Sequence, residues 1–386
     1  MNPFPSNRQK VQGKEVCVLK RLLAAVLTLL VCAAPVAQAS EIDLLQTLYR
    51  EKGQTIVSPL SLNLALMMAA EGAKGETRAQ LLAAAGLTED TLLQFTQQAM
   101  ALTGSGVSIA NAAFVKENLK VLEAYDAALR DRYQAERFSI DSSDVNDKVN
   151  AWVKEKTGGL IEKLLDQPPD PNLMMMLVNA LALKADWSEP FEAEATYQQP
   201  FHAADGDVDA DFMHQTSDLL YTQQDGMKAV RLPYQDSTLS LTVILPDQDI
   251  LTALDKLAKT PVDWNKAFGE TTNVALSLPK LSLEDTLPLI DCLKALGVQD
   301  AFDERADFSG IDGEEDLYIS SVLQKTRLDI DEKGTTAAAA TSIGMSAKAM
   351  PMEERPIEFT VDKPYILLLT DSETGITLFA AAIDKP

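Results

Sequence analysis

Glu332 to Pro356 reads EKGTTAAAATSIGMSAKAMPMEERP. This stretch lies between two β-like runs, Leu317–Asp331 and Ile357–Leu369. A patternless segment this long inside a compact domain is uncommon and is usually functional. Its first half is almost all Thr, Ala, Ser and Gly, small enough for either face of a sheet. No charge occurs between Gly334 and Ala347, so that half can be buried as a strand without stranding an ion. A solvated linker is normally richer in Lys, Glu and Pro. Composition alone is also met by an Ala-rich surface loop, or by one helical turn on Ala337–Ala340.

Working outward, Glu332-Lys333-Gly334-Thr335-Thr336-Ala337-Ala338-Ala339-Ala340-Thr341 resembles the hinge of the serpins, the serine-protease-inhibitor fold. The likeness extends over nearly the whole chain after Ser40. Ile56–Ser61 (IVSPLS) and Gly72–Thr77 (GAKGET) are similar to the serpin opening helices. Val149–Ile161 (VNAWVKEKTGGLI), Leu177–Ala180 (LVNA), and Trp187 with Pro190-Phe191 follow in family order. So do Leu278-Pro279-Lys280, Leu296-Gly297-Val298 with Ala301-Phe302, and Leu317–Ser320 (LYIS). The order and spacing of these blocks carry the resemblance. It implies an α+β fold: a single serpin-like domain, with about eight or nine helices around three β-sheets and an exposed reactive-centre loop at about 334–356. The likeness is to serpins of the bacterial, exported type.

The bulk numbers fit a large globular core. The chain has 386 residues, 46% hydrophobic and 24% charged, with net charge −23. Such a surface repels nucleic acid and anionic membranes, so neither is an expected partner. Lys20-Arg21, then the thirteen-residue apolar run Leu22–Ala34, then Pro35 and Ala37-Gln38-Ala39 read as a secretory signal peptide cut after Ala39. The run is too short to span a bilayer as a helix. Val31 makes Cys32 a poor lipoprotein site. The expected division is therefore a signal peptide, 1–39, and one domain, 40–386, exported to a periplasmic or extracellular space. Loss of Arg8, Lys10, Lys14, Glu15, Lys20 and Arg21 would take the net charge from −23 to −27. Of Cys17, Cys32 and Cys292, only the last would remain, so no internal disulfide forms; Cys292 reads as core.

Periodicity predicts helices at Ile42–Glu51, Leu60–Glu71 (capped by Ser58, with Pro59 in the first turn), Glu76–Ala85 and Thr88–Leu102. Further helices are expected at Leu119–Tyr133, Asp147–Lys156 (ended at Gly158-Gly159) and Leu287–Leu296. Strands are expected at Val107–Val115, Leu173–Ala185, through Tyr197–Pro246, at Val274–Leu283 and at Leu317–Asp331. Tyr365–Thr370 and Thr377–Ile383 form a closing hairpin across Asp371–Gly375. No repeat or linker splits the chain.

Catalytic signatures are missing. His202 and His214 have no Ser/Asp partnership legible in sequence, and no G-x-S-x-G, P-loop, H-E-x-x-H or paired CxxC occurs. Asp205, Asp207, Asp209 and Asp211 alternate, but Ala210 and Thr216 stand where a calcium loop needs Gly and Glu. They read as one solvated strand face or its turn. No enzyme, cofactor or metal is expected.

The resemblance implies a suicide-substrate inhibitor of serine endopeptidases. The loop is cleaved, the protease is held as an acyl-enzyme, and the freed hinge inserts as a strand into the large sheet. Glu332 opens that hinge, and Gly334 gives it a bend. Thr335, Ala337, Ala339, Thr341 and Ile343 share one face by period-two alternation. The family's count places the reactive bond at Lys348-Ala349, suited to the acid-lined pocket of a trypsin-like protease. A longer distal arm leaves Met345-Ser346 and Ala349-Met350 as alternatives, toward chymotrypsin-like or elastase-like targets. The inhibitor is expected to be a monomer that forms a covalent protease complex.

Ser58, Ser61 and Asn179 match the family's hydrogen-bonded shutter, and Trp187 matches the residue under the upper breach. Helix capping and ordinary core packing account for the same residues. Three departures stand out: Gln324 where many serpins carry a shutter His, Ala380-Ala381 in place of Met-Gly, and a short first helix. The rival expectation is a non-inhibitory serpin, a chaperone, carrier or storage protein.

Overall fold

The computed structural model describes residues 36–335, apart from 105 and 142, and residues 355–386. The chain opens with α1, Val36–Lys52, whose Leu44, Leu45 and Leu48 are buried at helical spacing. At 17 residues this first helix is not short, and it runs across the expected cleavage point after Ala39. β1 (Thr55–Val57) leads to α2 (Pro59–Gly72), capped by Ser58, whose Oγ accepts the Ser61 N–H at 3.2 Å. Then come α3 (Gly75–Ala84), α4 (Glu89–Ala101), β2 (Val107–Lys116), α5 (Glu123–Tyr133), β3 (Glu136–Ile140) and α6 (Val145–Lys156). Gly158 and Gly159, at φ +59° and +84°, end α6, and the Gly159 N–H returns to the Lys154 carbonyl at 2.8 Å.

The middle of the chain is mostly strand: β4 (Met175–Leu183), β5 (Ala185–Asp186), β6 (Tyr197–Ala203), β7 (Gly206–Gln224), β8 (Met227–Pro233) and β9 (Leu239–Pro246). α7 (Ile250–Lys259) and α8 (Trp264–Ala267) follow, then β10 (Thr271–Pro279), β11 (Leu281–Pro288), α9 (Ile290–Ala295) and β12 (Leu323–Ile330). β13 is only Gly334–Thr335. β14 (Ile357–Thr360), β15 (Tyr365–Asp371) and β16 (Thr377–Ile383) finish the chain. The fold is α+β, with nine α-helices and three sheets among the described residues. No described helix is long and apolar enough to cross a membrane.

The largest sheet runs β1-β16-β15-β9-β8-β7-β10-β14, with β6 added against β7. A four-stranded sheet runs β11-β12-β13-β5, and a three-stranded sheet runs β3-β2-β4. β15 and β16 are buried along their whole length, as a central hairpin requires. Cys292 is free and buried in the core, and burial pushes its thiol up to about 12. Asp207, Asp209 and Asp211 are exposed along β7, with Asp205 beside its turn.

Several expected elements divide or shift. Val274–Leu283 breaks at Lys280, because β10 belongs to the nine-stranded sheet and β11 to the four-stranded one. Leu173–Ala185 becomes two strands in two sheets. Leu287 is the penultimate residue of β11, so α9 begins only at Ile290. α5 starts at Glu123, after Leu122 has donated its N–H to Ile311 O at 2.7 Å; α6 starts two residues early, at Val145. Leu317–Val322 has the apolar pattern of a strand but no ladder, since among the described residues no strand pairs with it.

Candidate functional site

The two smaller sheets meet around a gap. Among the described residues β5 and β12 are joined only through β13: Thr335 pairs with Ala185 on one side and Ile330 on the other, and Gly334 pairs with Asp186. Below this junction β4 and β12 share no rung among the described residues. A cavity of about 340 Å³ opens there, between Met175–Ala180 and residues 316–325. Its floor is α2, through Ser61, Leu62, Leu66 and Ala69. The result is a slot closed at its upper end by Gly334 and Thr335.

The start is held by a dense set of bonds. The Glu332 carboxylate accepts from Lys280 Nζ at 3.0 Å and from Thr196 Oγ1 at 2.9 Å. Burial works to raise this carboxyl, but its own backbone N–H, Lys280 and Thr196 together hold it below the usual range. The Glu332 carbonyl accepts from the Phe191 N–H at 2.8 Å. Asp331 Oδ1 accepts from the Lys333 and Gly334 N–H groups at 2.9 and 3.3 Å, closing a tight turn.

Trp187 lies beneath that turn, 1% exposed. Its backbone N–H reaches Lys333 O at 2.7 Å, and its indole N–H reaches Asp331 O at 3.0 Å. Its ring stacks on Tyr234, with centroids 4.5 Å apart and planes at 17°. The Tyr234 hydroxyl in turn meets Thr335 Oγ1 at 2.5 Å. Burial raises the Tyr234 phenol, so it stays neutral. Gly334 does not sit at positive φ, so it is not needed as a bend. It is needed for closeness: a Cβ there would lie 2.1 Å from Ala185 O and 2.8 Å from Asp186 Cα.

At mid-slot two separate networks face each other. Gln324, 6% exposed, pairs with the Ser58 backbone: the Ser58 N–H donates to Oε1 and Nε2 donates to Ser58 O, both at 2.8 Å. Ser58 Oγ–H donates to Leu378 O at 2.7 Å. Asn179 does not join this group. Its Nδ2 donates to Asn111 Oδ1 at 2.8 Å, and Asn111 Nδ2 donates to Tyr133 O at 2.8 Å. Asn179 Oδ1 is buried without a hydrogen bond. The four residues expected to act together thus divide into Ser58, Ser61 and Gln324 on one side and Asn179 on the other. Ser61, Asn179 and Gln324 line the slot.

Ala337, Ala339, Thr341, Lys348 and Ala349 lie outside the described residues. Sequence reading missed Tyr234, Asp331, Thr196 and Asn111. The contacts that bring them to the site span 22 to 144 residues, so no local pattern marks them, although Asp331 also closes a local turn with Lys333 and Gly334. Lys280 and Phe191 had been read only as parts of family blocks.

Both histidines have partners that the sequence hid. His202 Nδ1 meets Asp207 Oδ1 at 2.9 Å across the β6–β7 hairpin, and both groups are exposed. His214 Nε2 lies 3.0 Å from Ser277 Oγ and from Gln199 Nε2, and its Nδ1 lies 2.8 Å from Ala195 O. Neither joins a serine, an imidazole and a carboxylate into one relay. Among the described residues no group of His, Cys, Asp and Glu is placed to hold a metal.

The serpin (serine protease inhibitor) family model matches residues 38–386. The leukocyte elastase inhibitor of Bos taurus is 32% identical over 369 residues, covering 89% of this chain and 97% of that protein. The crystal structure of tengpin, a thermophilic serpin in its native state, superposes with TM-score 0.81 at 32% identity, covering 91% and 93% of the two chains. Human thyroxine-binding globulin, in complex with thyroxine, superposes with TM-score 0.81 at 26% identity, covering 91% and 97%. The family is one of protease inhibitors rather than enzymes. With the model spanning the chain from residue 38 to its last residue, this protein is a member of the serpin family.

Proposed function

We propose that this serpin is an exported inhibitor that traps serine endopeptidases by strand insertion. The observation that carries the reading is β13: Gly334 and Thr335 of the hinge lie in the sheet, above a slot whose flanking strands β4 and β12 share no rung among the described residues. Continuing that register by six rungs would bring Thr341 opposite both Asn179 and Gln324. Ala337, Ala339 and Thr341 would then share the inner face with Leu181, Leu183, Thr326 and Leu328, all buried. Small side chains suit that face, and the Thr341 hydroxyl would offer Asn179 Oδ1 its missing donor.

The chemistry follows from this geometry. A protease serine attacks the carbonyl of Lys348 and forms an acyl-enzyme, with Ala349 as the new amino terminus. The released hinge fills the slot and draws the protease along the sheet. Its oxyanion hole and triad lose register, and deacylation stalls. About ten new rungs at roughly 0.5–1.5 kcal/mol each give a driving force on the order of 10 kcal/mol. The reading includes a trypsin-like target, a monomeric inhibitor, and removal of residues 1–39 on export.

Incubation with trypsin, chymotrypsin and elastase tests it, scored for SDS-stable adducts; mass spectrometry of the released peptide locates the bond. Adducts are expected with trypsin. Turnover without adduct with all three refutes inhibition. The second reading, a carrier, draws on the likeness to thyroxine-binding globulin. A melt of the nicked chain separates the two readings. Insertion raises the midpoint by tens of degrees, and a carrier without insertion leaves it nearly unchanged.

A further inference from the structure

Met174, Met175 and Met176 stand side by side where β4 enters the slot. A strand normally favours β-branched or aromatic side chains, and consecutive methionines depart from that. All three are half-buried, and all line the cavity of about 340 Å³. Met175 is opposite Val115 and packs on the main core. Met176 is opposite Phe114 and packs on the smaller core that α6 shares. Neighbouring thioethers therefore serve both faces of β4 at one edge of the slot.

The other described methionines are placed differently. Met67, Met68, Met213 and Met227 are 3% exposed or less. The Met100 sulfur lies outside the cavity and accepts from Asn111 Nδ2 at 3.6 Å. A cavity of this size holds several waters, and hydrogen peroxide is little larger than water.

We propose that Met174, Met175 and Met176 are an oxidation site through which a peroxide controls strand insertion; the proposal rests on the inhibitory reading above. Each sulfur attacks the O–O bond, takes one oxygen and gives up two electrons, and the other oxygen leaves as water. The sulfoxide is polar and accepts hydrogen bonds, which water supplies while the slot is open. Continuing the β13 register past Thr341 brings the inserting strand to Leu177 and then Met175, so these rungs close last. Closing them expels the water and buries an acceptor that has lost its partners. Oxidation thus disfavours the inserted state more than the open one, and the strand stops short. The protease is carried only part of the way and deacylates, so the inhibitor behaves as a substrate until the sulfoxides are reduced.

The full chain is treated with hydrogen peroxide, mapped by mass spectrometry, nicked in the loop with trypsin and melted. Sulfoxide is expected at Met174, Met175 and Met176 before Met67, Met68, Met213 and Met227. The gain in midpoint on nicking should fall by more than half, and the yield of SDS-stable adduct with it. A Met174→Leu, Met175→Leu, Met176→Leu variant, compared with its own untreated sample, should keep its gain after peroxide. It retains Met345, Met350 and Met352 and so separates the slot from the loop. A Met345→Leu, Met350→Leu, Met352→Leu variant should still lose its gain, and it decides the matter if the first variant does not fold. A gain that survives oxidation of all three slot methionines overturns the switch alone. No gain in the untreated nicked chain overturns strand insertion itself.

Discussion

The hydroxyl of Tyr234 meets the hydroxyl of Thr335 at 2.5 Å, across 101 residues of sequence and inside the core. This contact fixes the first rung of the slot and orients Thr335 inward. Tyr234→Phe leaves the Thr335 hydroxyl buried without its partner, at a cost of about 1–3 kcal/mol. Adding Thr335→Val removes both polar groups and should restore most of the loss. Melting midpoints of the two single variants and the double variant check this. Simple additivity would mean that the contact is not energetic.

Thr335→Arg should disrupt the sheet before any cleavage. The position is 1% exposed between Ala185 and Ile330, and an unpaired charge is not tolerated there. The chain should be cut as a substrate and give little stable protease adduct. Adduct formed in undiminished yield would remove strand insertion as the mechanism.

Gln324→Ala should destabilise the fold by about 2–4 kcal/mol, because the Ser58 N–H and C=O both lose a buried partner. Urea unfolding reads the change directly. A variant as stable as the parent would show that solvent in the slot replaces the amide.

Glu41 makes stability fall with rising pH. Burial pushes its carboxyl from 4.5 up to about 8, offset in part by the Thr377 hydroxyl. Between those values the folded chain keeps a proton that the unfolded chain has lost. Stability therefore drops as the pH rises from about 4.5 to about 8, then levels off. Each pKa unit corresponds to about 1.4 kcal/mol. Glu41→Gln should raise the melting midpoint markedly at pH 8.5 and scarcely at pH 4; an equal shift at both would contradict a buried acid.

Much of this was legible in the residues themselves. Ser58-Pro59 announces α2, Gly158-Gly159 ends α6, and the apolar runs Tyr365–Thr370 and Thr377–Ile383 are the closing hairpin. These signals are local: a cap, a positive φ and a hydrophobic period act within a few residues. Cys292 was legible too, as core.

Only the tertiary structure decided which strands have neighbours. Leu317–Val322 carries a strand's pattern yet forms none, because a ladder needs a second chain segment alongside and none of the described residues supplies one. Gly334 has to be glycine because of the carbonyl of Ala185, 149 residues earlier, and not because of its own turn. Asn179 and Gln324 stand apart, each bonded to its own distant partner, Asn111 and Ser58, and Asn179 Oδ1 is left without one. Periodicity and capping are written in the chain's own short range, whereas hydrogen-bond partners and close approaches arise only when remote segments are brought together.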